Sequence, residues 1–276
     1  MTEEGHALAA RAARYPFAQP GGSYVFTREG PLPLADAAAP WGDDAVLRRG
    51  DGTTTWAALR RELGAPDGPR TAVLGYGSNP APETLARKLR EAPAAGVAVP
   101  VLELAVEGMD AVWSAHVHAG YVPATVAAAP GTTLRAWALL LTADELEVVN
   151  ASESLGRNYA LGRLGGVRAR FADGSPCEDL RSYVSLHGSL APDGTAVAVA
   201  PVLADGRALP ALDEPGILRR VHHEVAPAAP FAEFAAALAG DPDAAAACTA
   251  ALRPLARPFV WDGWVPLEPP ASAAAD

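Results

Sequence analysis

The stretch TAVLGYGSNPAPETLARKLR, residues 71–90, decides how this chain is read. Its first residues are apolar and read as a short strand. Gly75, Tyr76, Gly77, Ser78 and Asn79 then place small and polar groups where that strand ends. Pro82 and Glu83 open a helix to about Arg90, with Pro82 suited to a first turn that needs no N–H. Glycine permits close backbone approach, and successive N–H groups in such a turn can cradle a carboxylate or an oxyanion. The turn fails the common alternatives. It lacks the lysine of a phosphate loop, the third glycine of a dinucleotide fingerprint and the flanking glycines of a nucleophile elbow.

Working outward, strand-like runs follow at Val97 to Val106, Ala111 to His118, Tyr121 to Ala128 and Leu134 to Leu141. Thr142 and Glu145 form a capping box, which predicts a short helix ending near Asn150. Further strands are predicted at Tyr159 to Leu164, Val167 to Phe171 and Arg181 to His187, with Asp173-Gly174 as a hairpin turn. From Glu214 the pattern turns helical. Before residue 70 the chain is poorly periodic, with scattered aromatics and one short helix near Thr55 to Leu63, stopped by Gly64. Aromatics at Tyr24, Trp41 and Trp56 suggest that this lead packs onto something. The Pro/Ala finish reads as loosely ordered. The fold class is α+β, and the run of short strands between Thr71 and His187 predicts a closed or nearly closed β-core.

Composition sets the outer bounds. The chain has 276 residues and a formal net charge of −10. Such a charge repels phosphate backbones, and no dense Lys/Arg stripe overturns it, so nucleic-acid binding is disfavoured. Alanine is abundant, Lys88 is the sole lysine and Ile217 the sole isoleucine. The longest stretch free of charged residues, Ala111 to Leu134, is interrupted by Gly120, Pro123, Pro130 and Gly131, which argues against a membrane span. The opening residues carry Glu3, Glu4, Arg11 and Arg14 with no apolar run, unlike a secretory signal. Two cysteines, Cys177 and Cys248, make no disulfide framework, and a cytoplasmic location is expected. Cys177 is expected to be exposed beside its turn and Cys248 buried.

Tyr76-Gly77-Ser78-Asn79, after a strand and before a helix, resembles the hallmark loop of the γ-glutamylcyclotransferase-like proteins. In that family a later strand leads into a threonine-capped short helix, then a glutamate, then a tyrosine opening the next strand. This chain has Trp137 to Leu141, Thr142, Glu145-Leu146, Glu153 and Tyr159 in that order. The resemblance covers about Thr71 to His187, less than half the chain. It departs at Pro80, where an apolar residue is usual, and at Ser154, where glycine is usual.

The resemblance implies a mixed β-barrel core with short flanking helices. Residues 70–224 would be the catalytic domain, 1–69 an N-terminal extension packing on it, and 225–276 a helical C-terminal extension and tail. It also implies a reaction. The free α-amine of a γ-glutamyl group attacks its own γ-carbonyl, giving 5-oxoproline and releasing an amine or amino acid. The nucleophile is intramolecular, so the enzyme mainly folds the substrate and manages protons. An α-amine with pKa ~8 must give its proton to a carboxylate whose free value is ~4.3, so the base has to be shielded from water. The resemblance makes Glu153 that base, and makes Tyr76, Gly77, Ser78, Asn79, Tyr159 and Tyr183 the substrate-binding residues. It calls for no cofactor and no metal, and its partner is a small γ-glutamyl molecule.

Other candidates weigh less. His116 and His118 sit at strand spacing like a metal pair, with no third ligand in view. Arg157, Arg163, Arg168 and Arg170 follow Glu153 as a solvated face from which one could clamp a carboxylate. The alternative of a different class is a catalytically silent module that holds a small acidic metabolite or a protein partner.

Overall fold

The structure is a computed structural model that describes residues 11–91 and 96–267. The first ten residues and the Pro/Ala finish lie outside them. The sheet is built around one long hairpin. Strand β6, Ala98–Trp113, pairs antiparallel with β7, Ala124–Leu141, from Val101↔Leu139 to Trp113↔Ala124. The sequence pattern suggests two strands in each arm, divided near Gly108 and Pro130-Gly131. The structure corrects this: the strands run on through a bulge. Gly108 and Gly131 both adopt positive φ, and the register shifts between Glu107 and Met109. Glycine absorbs the left-handed backbone there, so the ladder bends without ending.

Strand β1, Tyr24–Thr27, comes from the poorly periodic lead and pairs with β6 and with β2, Gly30–Pro33. A separate hairpin, β3 (Val46–Arg49) and β4 (Gly52–Thr55), runs into the helix Trp56–Leu63. Thr55 caps that helix through its side chain and Gly64 closes it at φ 62°. Strand β5, Thr71–Gly75, pairs antiparallel with β7 and parallel with β10, Leu180–Ser185. Beyond β10 come β8, Tyr159–Leu164, and the edge strand Trp264–Pro266.

The sheet is therefore mixed, and it is open. Its main path starts at Ala211–Leu212 and ends at Trp264–Pro266, strands that do not pair with each other. The expected barrel is thus not formed: among the described residues no sheet closes. The ordering of short segments signals antiparallel pairing, but closure depends on an edge-to-edge pairing that no local pattern specifies.

Helices cover the sheet on both sides. Leu85, Leu89 and Val149 pack with Val73, Val101 and Tyr183 in one apolar cluster. In the main cluster, Ile217, Val221, Leu238, Cys248 and Leu252 of the C-terminal helices Glu214–Val225, Phe231–Gly240 and Pro242–Leu252 pack with Trp113, Val117 and Val122. Cys177 is buried in that same cluster, not exposed as its turn suggests. Its N–H donates to the Ala169 carbonyl, which turns the segment after Asp173-Gly174 back over the sheet. No helix among the described residues is long and apolar enough to cross a membrane.

Candidate active site

Strand β5 carries the chain to Gly75, and the turn that follows is shaped by its glycines. A Cβ on Gly75 would lie 2.6 Å from Leu139 Cδ1, and one on Gly77 would lie 2.7 Å from the Tyr15 hydroxyl. At both positions any larger residue would have to push a neighbouring side chain aside, so glycine lets the turn pack closely. Ala81 N–H donates to the Ser78 carbonyl, and the helix Pro82–Lys88 starts immediately afterwards. Among the described residues, the N–H groups of Gly77, Ser78 and Asn79 donate to no protein acceptor. They remain available to an oxygen atom.

Glu153 reaches the same place from the other direction. Thr142 and Glu145 complete the reciprocal capping box of the helix Ala143–Ala151. Glu145 is buried rather than solvated, because its carboxylate also meets Arg70 at 2.9 Å. Past the helix end, Glu153 N–H bonds the Asn150 carbonyl and Ser154 takes φ 50°. Glycine is the residue that adopts that backbone without strain, so the serine here keeps the turn at some cost. The turn points the Glu153 side chain inward, where it is 12% exposed.

The Glu153 carboxylate is held by one oxygen only. Asn79 Nδ2 donates to Oε1 at 2.9 Å across 74 residues of sequence, and Lys88 Nζ donates to the same oxygen at 2.5 Å. Oε2 has no hydrogen-bond partner among the described residues. One oxygen is thus fixed in place while the other is free to accept a proton. Lys88 is only 5% exposed, so the sole lysine of the chain is spent on this contact.

Tyr76, Gly77, Ser78, Asn79, Glu153, Tyr159 and Tyr183 all line one cavity of 160 Å³. The tyrosines contribute their rings more than their hydroxyls. Tyr76 donates to the Tyr183 carbonyl at 2.5 Å, Tyr159 to the Ala124 carbonyl at 2.8 Å and Tyr183 to Asn150 Oδ1 at 2.6 Å. Burial raises the pKa of each of these phenols, so they stay neutral.

The sequence reading missed several residues of this cavity. Tyr15 accepts a hydrogen bond from Ala124 N–H at 2.8 Å and stacks on Tyr121 with ring centroids 4.8 Å apart. His116 and His118 belong here as well. They lie not on a strand, as their spacing suggests, but in the connection between β6 and β7. His118 and Tyr121 exchange backbone hydrogen bonds around Ala119 and Gly120, both at positive φ, which is the geometry of a tight hairpin turn. His116 is 2% exposed; its Nδ1 sits 2.6 Å from Ser114 Oγ, and its Nε2 has no partner among the described residues. Burial pushes the His116 imidazole down to about 3, so it is neutral at ordinary pH. Lys88 carried one signal, its uniqueness. His116 was marked only by its spacing from His118, and Tyr15 carried no signal, because residues far apart in sequence bring both here.

Of the four arginines after Glu153, Arg157 alone approaches this region. Arg168 pairs with Glu107 at 2.9 Å, and Arg170 bonds the Gly174 carbonyl at 3.1 Å.

No family model matches the chain, and no curated protein matches it in sequence. Two solved structures resemble parts of it. One is a gamma-glutamyl cyclotransferase, 14% identical, covering 42% of this chain and 66% of its own, with a TM-score of 0.33. The other is a solution structure of an Arabidopsis thaliana protein, 19% identical, covering 44% of this chain and 72% of its own, also with a TM-score of 0.33. Overlap at that level leaves the chemistry to be argued from the chain's own residues.

Proposed function

We propose that this chain cyclises a γ-glutamyl amide and releases 5-oxoproline, with Glu153 as general acid and base. The observation that carries the reading is the pairing of a pinned, one-sided carboxylate with a turn of unused N–H groups in one cavity. The γ-carbonyl oxygen takes hydrogen bonds from the turn at Gly77 to Asn79, where negative charge develops as the carbonyl carbon becomes tetrahedral. Glu153 Oε2 removes a proton from the α-amine, whose nitrogen attacks that carbon. As the tetrahedral centre collapses, the bond to the leaving nitrogen breaks and the proton held by Glu153 passes to it; Glu153 then takes the second proton shed by the ring nitrogen and hands it on, so that the lactam keeps one N–H and the amine departs as its ammonium. Proton transfer by a placed group of this kind contributes ~10²–10⁴ in rate. The rings of Tyr76, Tyr159 and Tyr183 confine the substrate in a bent conformation, which shortens the distance from amine to carbonyl. The chemistry calls on no cofactor and no metal.

Lys88 favours a second reading. An ammonium in contact with Glu153 neutralises the carboxylate, which suits a silent module that holds a small acidic metabolite. The two readings separate in one experiment. The protein is incubated with γ-glutamyl amino acids, γ-glutamyl amines and glutathione, and 5-oxoproline is measured. Release from any of them supports the cyclase; binding without release supports the silent module.

A further inference from the structure

The cavity that holds Glu153 is small. At 160 Å³ it falls below the roughly 300–1,000 Å³ of ordinary ligand pockets, so it holds one end of a substrate and not the whole. It adjoins a second cavity of 490 Å³, and the two share His116, His118, Ala119 and Asn158 as their common wall. The second cavity includes neither the Gly77 turn nor Glu153. It is roofed by the C-terminal helices, whose seating is tight. A Cβ on Gly120 would lie 2.8 Å from Ala239 Cβ, and Val117 N–H donates to Thr249 Oγ1 at 3.0 Å.

The lining of this second cavity has one sign of charge. Arg157 and Arg253 are part of it, and no aspartate or glutamate is. Neither guanidinium has a hydrogen-bond or ion-pair partner among the described residues. In this chain of net charge −10 the largely buried arginines are paired, as Arg70 is with Glu145 and Arg207 with Asp110, whereas Arg157 and Arg253 face the cavity from its exposed side without a carboxylate. His116 adds a buried ring nitrogen, Nε2, that the protein leaves unused at the junction of the two cavities.

We propose that the second cavity receives the leaving half of the substrate, and that this half carries an acidic group, carboxylate or phosphate, held by Arg157 and Arg253. The inference rests on the cyclase reading for the word leaving; the anion site itself does not. Both arginines are solvent-accessible, so their attraction works through water and weakens with salt. The acidic group lies beyond the leaving nitrogen, on the far side of the His116 wall, and the fit to it is supplied by helices that lie outside the stretch carrying the family resemblance.

A matched series tests this: γ-glutamyl-β-alanine, γ-glutamyl-O-phosphoethanolamine and γ-glutamylpropylamine, compared by kcat/KM for 5-oxoproline release. At least one acidic compound is expected to exceed the propylamine by about tenfold, one such charge contact being worth roughly 1.4 kcal/mol. Which acidic compound leads identifies the group. The preference is expected to collapse toward unity in the double variant Arg157→Gln, Arg253→Gln, and near 1 M salt, where screening acts over ~3 Å. Equal rates for all three compounds, or a preference that survives both the double variant and salt, overturn the proposal. If none releases 5-oxoproline, calorimetric binding of the same compounds decides the anion site. Tighter binding of an acidic compound, lost in the double variant, supports it; equal binding, or none, overturns it.

Discussion

The two walls of the Glu153 cavity are built in different ways. One wall is local: a turn, a helix and a capped helix place Asn79, Lys88 and Glu153 by short-range rules, and the long-range contacts only join them. The opposite wall is assembled. Tyr15 from the N-terminal lead bonds Ala124 N–H and His116 from the β6–β7 connection stacks on His187, each a partner about 70 or more residues away; outside the cavity lining, Glu214 from a C-terminal helix reaches Val122. Glu214 is 1% exposed and accepts from Val122 N–H at 2.9 Å, and burial pushes its carboxyl well above the usual carboxylate range. The local wall carries the Glu153–Lys88 pair, whereas Tyr15 and His116 of the assembled wall are neutral and buried.

The contrast can be broken from either side. The largest effect is expected on the charged wall. Lys88→Met leaves the Glu153 carboxylate among buried groups without its cation, which costs about 3–5 kcal/mol in stability, read by denaturant unfolding. A loss under 1 kcal/mol would mean that the pair is solvated. Behind the assembled wall, Ile217→Ala truncates a fully buried side chain of the helix Glu214–Val225 and should cost about 2–5 kcal/mol in the same assay. It should also weaken any binding that depends on the second cavity, whereas Lys88→Met acts on the first.

Acid separates the walls further. His116 titrates at about 3 when folded and near 6.5 when unfolded, so the unfolded chain binds the extra proton. Its contribution is present above pH ~6.5 and is lost as pH falls toward 3. Between pH 6.5 and 4.5 this amounts to about 2–3 kcal/mol, and His116→Gln should remove that part of the decline. Matching pH profiles for the two proteins would show that the imidazole is not sealed from water. The smallest effect belongs to Tyr76→Phe. The Tyr183 carbonyl keeps a second donor in Ser182 Oγ at 3.2 Å, so losing the Tyr76 hydroxyl should cost only about 1 kcal/mol.

The same contrast explains what could be read in the sequence. The turn at Tyr76 to Asn79, the Thr142 cap, the helix start near Thr55 and the Gly64 stop are legible because each is decided within a few residues by backbone chemistry. The bulge at Gly108 hid the continuity of β6, since a glycine in a strand pattern reads as an end unless the partner strand is known. Closure of the sheet, the burial of Cys177 and the gathering of Tyr15 and His116 depend on pairings between distant segments. The positive φ of Ser154 belongs to the fold and could not be read from the residues around it. Lys88 was conspicuous as the sole lysine, yet nothing local tied it to Glu153.

The central claim is that Glu153 moves the proton in the cyclisation. It is tested most directly by 5-oxoproline release from the preferred γ-glutamyl compound by the wild-type protein and by Glu153→Gln, with thermal unfolding followed in parallel. Glutamine keeps the shape and can still accept from Asn79 and Lys88, but it cannot take the proton. The account predicts that turnover falls by ~10²–10⁴ while folding and substrate binding persist. Near-normal release from a folded Glu153→Gln protein would contradict it.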